Sequence, residues 1–168
     1  MISTETDTVT GTVTMQNENP FGLAELMPSG DLAIPTIDFA TGDGCVKKIT
    51  TAAPAASGGC IVTNAAMGNY ASRIDFQGST MWLTVPSPDF TKAALRSYDL
   101  TTSTLAAAIS PASEIVGDVV DCPDGSIVIA DTAMATGGLR VYRNGAEVTT
   151  TALNAGLTPG STHGLVCD

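Results

Sequence analysis

The sequence predicts an all-β fold, built as β-propeller blades of four antiparallel strands, and three observations carry the prediction. Apolar residues come in short β-branched bursts bounded by Gly, Pro, Asn and Asp, without helical spacing. One turn pattern recurs at intervals of about 47 residues. A column of basic residues, independent of that turn, follows a similar period. Four-stranded units repeated every ~40–50 residues mark a propeller, whereas β-sandwiches lack internal repeats and parallel solenoids use shorter coils.

The first unit opens with Phe21-Gly-Leu-Ala-Glu-Leu-Met-Pro-Ser-Gly30 and continues with Asp-Leu-Ala-Ile34. Its strands are expected at 22–27, 31–36, 45–50 and 60–64. The second unit reads Ser72-Arg-Ile-Asp-Phe-Gln-Gly78 and then Ser-Thr-Met-Trp-Leu83, looser by about one residue. The third reads Val116-Gly-Asp-Val-Val-Asp-Cys-Pro-Asp-Gly125 and then Ser-Ile-Val-Ile129, aligning with the first without gaps. Pro presets φ in these turns, and Gly accepts the positive φ that closes the hairpin. Each unit then carries a basic residue followed two positions later by a large apolar one: Lys47 and Ile49, Arg96 and Tyr98, Arg140 and Tyr142. Alternation puts each pair on one face of a third strand, where the cations read as ordinary solvated charge. Asn144-Gly145 is the strongest two-residue hairpin signal. Only 105–110 and 152–157 hint at helix, and both are too short to nucleate.

The repeats thus span 19–66, 70–110 and 114–153 of one domain, with partial strands expected at 8–16 and 162–168. A ring needs at least four blades, and open sheet edges invite pairing. Closure is therefore expected from a second copy, from another propeller chain, or from the rest of a longer chain of which this is a fragment.

Composition narrows the function classes. Seventeen acidic residues face seven basic ones, for a net charge of −10. Phosphate contacts need clustered Lys and Arg, so nucleic acid is excluded as a partner, and anionic membrane surfaces are disfavoured. No apolar run approaches the ~20 residues that span a bilayer, so membrane insertion is not expected. The four cysteines, Cys45, Cys60, Cys122 and Cys167, show neither CxxC nor zinc-type spacing. Three pairings are possible; a bridge between neighbouring strands favours Cys45 with Cys60, leaving Cys122 with Cys167. Disulfides and the Thr, Ser and Gly-rich composition point to an extracellular or cell-surface location.

Asn19-Pro-Phe-Gly-Leu-Ala, Pro123-Asp-Gly-Ser-Ile-Val-Ile-Ala-Asp131-Thr and Leu139-Arg-Val-Tyr142 resemble the repeat of the NHL and streptogramin-lyase-like propellers over most of 19–168. The resemblance implies the propeller fold and raises two enzyme readings. Calcium-dependent lactonases of the gluconolactonase type share the blade plan and place Asn, Asp or Glu at or near the glycine opening each inner strand. Here Phe21, Val116 and His163 precede that glycine, and Glu18 and Glu114 do not fit the position. Streptogramin lyases use a His-Gly start with a metal and a Glu; His163-Gly164-Leu165 resembles that start, but His163 is the chain's one histidine.

The expectation is therefore a non-catalytic binding or assembly module completed by self-association. A self-assembling surface or filament subunit and a metal-dependent lyase or lactonase are the alternatives. Phe21 and His163 are the binding candidates, at the propeller rim. No cofactor is implied, with Ca2+ the cation weighed. Asp38 with Asp43, and Asp118, Asp121 and Asp124, lack EF-hand spacing and read as turn-capping residues, with alternation sending Asp118 and Asp121 to opposite faces. Trp82, the one tryptophan, sits mid-strand and reads as packing between blades.

Overall fold

A computed structural model of the chain describes residues 2–3, 6, 8–9, 12–15, 18–52, 57–112, 116–133, 137–154, 165 and 167. The fold is all-β. Among the described residues, strands β1 (Ile2–Ser3) and β2 (Thr8–Val9) pair only with each other. Of the stretch 8–16, read as a blade's last strand, Thr8 and Val9 thus have β1 as their partner, and residues 10, 11 and 16, like most of 162–168, lie outside the described residues.

Three antiparallel sheets follow. Sheet one contains β3 (Asn19–Pro20), β4 (Glu25–Leu26), β5 (Leu32–Ile37), β6 (Cys45–Ile49) and β7 (Ser57–Thr63), with β3 and β4 both pairing β5. After the short helix α1 (Asn64–Met67), sheet two contains β8 (Arg73–Gln77), β9 (Thr80–Pro86), β10 (Ala93–Asp99), β11 (Thr104–Leu105) and β12 (Ile109–Ala112), the last two both on β10. Sheet three runs in chain order through β13 (Val116–Asp121), β14 (Ile127–Asp131), β15 (Gly138–Arg143) and β16 (Ala146–Glu147). None of these sheets closes on itself.

Turn chemistry repeats the sheets. Gly30, Gly78 and Gly125 close the hairpins into β5, β9 and β14 with φ of 82°, 55° and 80°. In the first and third turns the Met27 and Cys122 N–H groups donate to Asp31 and Ser126 carbonyls at 2.8 Å, and Gly30 and Gly125 donate back to Met27 and Cys122 at 2.9 Å. The registers agree as well. Lys47, Arg96 and Arg140 lie opposite Ile34, Leu83 and Ile129, and Ile49, Tyr98 and Tyr142 lie opposite Leu32, Met81 and Ile127. Asn144 and Gly145, at φ of 51° and 77°, turn β15 into β16.

The core lies between sheets. Alternation along β9 and β10 sends Met81, Leu83, Val85 and Tyr98 to one side, where they meet Ala33, Val46 and Val62 of sheet one. Trp82, Ala93 and Leu95 take the other side and meet Val119, Ile127, Ile129 and Tyr142 of sheet three. Sheet two is thereby covered on both faces, and Trp82 packs between two sheets.

Two local features have simple causes. The region 105–110, too short to nucleate a helix, is not helical: Leu105 belongs to β11 and Ile109 begins β12, because the free edge of β10 satisfies their backbone. The helix sits instead at Asn64–Met67, where the Thr63 hydroxyl accepts the Ala66 N–H at 3.2 Å and Gly68 ends the turn at φ 89°. Cys45 and Cys60 bridge β6 and β7 with Cα atoms 5.6 Å apart, and Cys122 is bonded to Cys167 at 5.1 Å. Among the described residues no helix is long and apolar enough to cross a membrane.

Candidate functional site

The loops of sheets one and two carry a row of aromatic rings. Phe21 lies between β3 and β4, Phe39 between β5 and β6, Tyr70 between α1 and β8, and Phe90 between β9 and β10. Phe21 meets Phe39 edge-on at 5.8 Å and Tyr70 edge-on at 4.7 Å; Tyr70 meets Phe90 at 6.2 Å. Edge-to-face pairs of this kind contribute about 0.5–1.5 kcal/mol beyond burial. The ends of the row face solvent, with Phe39 66% and Phe90 49% exposed, while Tyr70 is buried at 8%.

Sequence chemistry explains the projection. In both hairpins an Asp side chain folds onto the backbone two residues ahead: Asp38 accepts the Ala40 N–H at 2.8 Å, and Asp89 accepts the Thr91 N–H at 3.2 Å. The residue between, Phe39 or Phe90, is turned outward. Phe90 adopts a φ of 58°, a conformation that bulky side chains rarely take and that is stored where the surroundings enforce it. The third sheet repeats the Asp turn, Asp131 accepting the Ala133 N–H at 3.0 Å, but places Thr132 at the projecting position.

Phe21, the binding candidate read from sequence, therefore sits half-buried in mid-row. His163 lies outside the described residues. Phe39, Tyr70 and Phe90 belong to none of the repeat motifs of the sequence; the one signal for two of them is the Asp-Phe dipeptide repeated in two equivalent hairpins.

The basic column corrects one expectation: it is not solvated outward charge. The cross-strand neighbours of Arg96 and Arg140, Leu83 and Ile129, are fully buried, so these two face the preceding sheet, while the Lys47 side chain, opposite half-exposed Ile34 on sheet one, is 12% exposed. Lys47 pairs with Glu18 at 2.9 Å. Burial opposes the Glu18 carboxylate, but the Thr36 hydroxyl at 2.6 Å and Lys47 outweigh it and hold its pKa below the ordinary value. Arg140 pairs with Asp131 at 2.5 Å and Glu147 at 2.8 Å. Arg96 donates to the Met67 carbonyl of α1 at 2.9 Å and twice to Ala106. Asp99, weighed as a partner for the column, instead accepts the Thr101 and Thr102 N–H groups.

β13 carries a register irregularity between Val116 and Val119, so Asp118 lies in its irregular stretch and Asp121 in its regular one. Their charges act on two carboxylates of the neighbouring first strands. Burial, then Asp75 and Asp118, raises the Glu25 pKa; burial, and the nearby Asp121 charge, raises that of Asp75. Asp75 accepts the Asp121 N–H at 2.7 Å, which joins sheets two and three. Among the described residues no three His, Cys, Asp or Glu side chains converge with metal-holding geometry. Asp124 caps its turn by accepting the Ser126 N–H at 3.0 Å.

No protein-family model, no curated protein and no solved structure matches the chain.

Proposed function

We propose that the chain is a non-catalytic extracellular or surface module whose sheets are propeller blades and whose ring is completed by self-association. The aromatic row would form part of its binding rim. One observation carries this reading: equivalent faces are covered in sheets two and three and open in sheet one. Met81, Leu83 and Tyr98, and likewise Ile127, Ile129 and Tyr142, are 0–7% exposed beneath the preceding sheet. Their register equivalents Leu32, Ile34 and Ile49 remain half-exposed. At the other end, Val128, Leu139 and Val141 of sheet three are half-exposed, where Trp82 and Leu95 of sheet two are buried.

The two open faces differ, so they would join head to tail. Such contacts close into a ring or run on as a filament, according to the rotation per subunit. The two disulfides fit an oxidising, extracellular location.

Opposite charges placed on the two faces test the reading. Ile49→Lys and Val141→Glu should each sediment as monomers, and an equimolar mixture should recover a mixed assembly. A wild-type dimer supports ring closure, and a polydisperse polymer supports the filament. A wild-type protein monomeric into the high-micromolar range overturns both, as does assembly that neither substitution disturbs.

A further inference from the structure

The seven basic residues of this acidic chain are unevenly matched. Lys47, Lys48, Arg140 and Arg143 form ion pairs with Glu18, Asp31, Asp131 and Asp124. Arg73 donates to the Ser72 carbonyl at 2.7 Å and makes further contacts. Lys92 and Arg96 take part in no ion pair among the described residues, although carboxylates outnumber cations more than twofold. Both line the same cavity.

That cavity, of about 360 Å³, lies where the end of α1 meets the β9–β10 hairpin, and Met67, Val85, Pro86 and Ala93 supply apolar walls beside the two cations. Its size falls within the range of about 300–1,000 Å³ that holds small ligands. Arg96 is fixed by the Met67 and Ala106 carbonyls, which engage three of its five N–H donors and leave its charge without a counter-ion among the described residues. Asp89, the acid nearest in sequence to Lys92, accepts instead from Ser87 and Thr91 within the hairpin.

We propose that this cavity binds a small organic acid, its apolar body against Met67, Val85 and Pro86 and its carboxylate between Lys92 and Arg96. An apolar pocket alone would accept any oily molecule. Two cations at its wall, without an ion pair among the described residues, select an anion, and the planar guanidinium suits a carboxylate. The proposal is independent of how the open sheet faces are covered.

Calorimetric titration of the wild-type chain with octanoate, octanol and octylamine tests it. Octanoate should bind with a Kd of about 10–1,000 μM, and weaken as salt is raised. Octanol should bind at least about tenfold more weakly, and octylamine more weakly still. Lys92→Met, on an exposed side chain, should weaken octanoate about tenfold while leaving octanol unchanged. Arg96→Gln should weaken it further; if that variant melts early through loss of the Met67 and Ala106 contacts, the ligand series and Lys92→Met decide. Octanol binding as tightly as octanoate, no octanoate binding up to about 10 mM, or an unchanged affinity in Lys92→Met would overturn the proposal.

Discussion

Asp131 holds a carboxylate where water does not reach it: its side chain is 0% exposed, against 15% for its partner Arg140. Removing one member of a buried pair strands the other charge, at a cost of about 3–5 kcal/mol. Asp131→Ala also deprives the Ala133 N–H of its acceptor. Urea unfolding at pH 7 should show a loss of that size, and Glu147→Gln a much smaller one, because Glu147 is 22% exposed. The acidic group on the first strands has the opposite sign. Folding raises the Glu25 and Asp75 pKa values, so what these groups add to stability is present below the ordinary carboxylate pKa and lost as pH rises through the folded one. Glu25→Gln should therefore melt above the wild type at pH 7, and the gap should close as pH falls. The depressed pKa of Glu18 works the other way, its contribution disappearing in acid.

Among the elements, β6 and β7 pair through a ladder interrupted by two register shifts and are joined by the Cys45–Cys60 bond. The bond closes a loop with a sequence separation of 15, worth about 3 kcal/mol in the chain-entropy account. Cys45→Ala combined with Cys60→Ala should lower the unfolding free energy by about that amount, with melting of the oxidised wild type as reference. Much at this scale was legible in the residues. Pro28-Ser-Gly30 and Pro123-Asp-Gly125 dictate their turns through local chemistry, and the basic column kept step with the strand registers. The partners of the column were not legible. Glu18, Asp131 and the Met67 carbonyl do not stand at one common offset from Lys47, Arg140 and Arg96 and are not one kind of group, so nothing local showed that two of the column would be ion-paired and the third held by carbonyls. The four residues of α1 carry no periodicity to detect, yet the helix supplies both the Met67 carbonyl and one wall of the cavity.

At the scale of the molecule, the period announced three equivalent units, and the registers of the ladders β5–β6, β9–β10 and β14–β15 agree residue by residue. The aromatic row was only partly legible, through Phe21, because it assembles from four loops of two units. The cavity was not, since it depends on how α1 meets a hairpin far away in sequence. Open faces at both ends and a ligand cavity at the edge of sheet two make separate demands on the same scaffold: one needs mating surfaces, the other a rigid wall.

The rigidity follows from layering. Sheet two has a packed neighbour on each side, and Leu83 and Leu95, on opposite faces, are both 0% exposed. Sheets one and three can each peel away from a single partner. The middle sheet can open only after a neighbour has lifted, so its amides would be the last to trade hydrogen with solvent, with protection fading outward in both directions. A ligand between Lys92 and Arg96 would then rest on the part of the chain that breathes least.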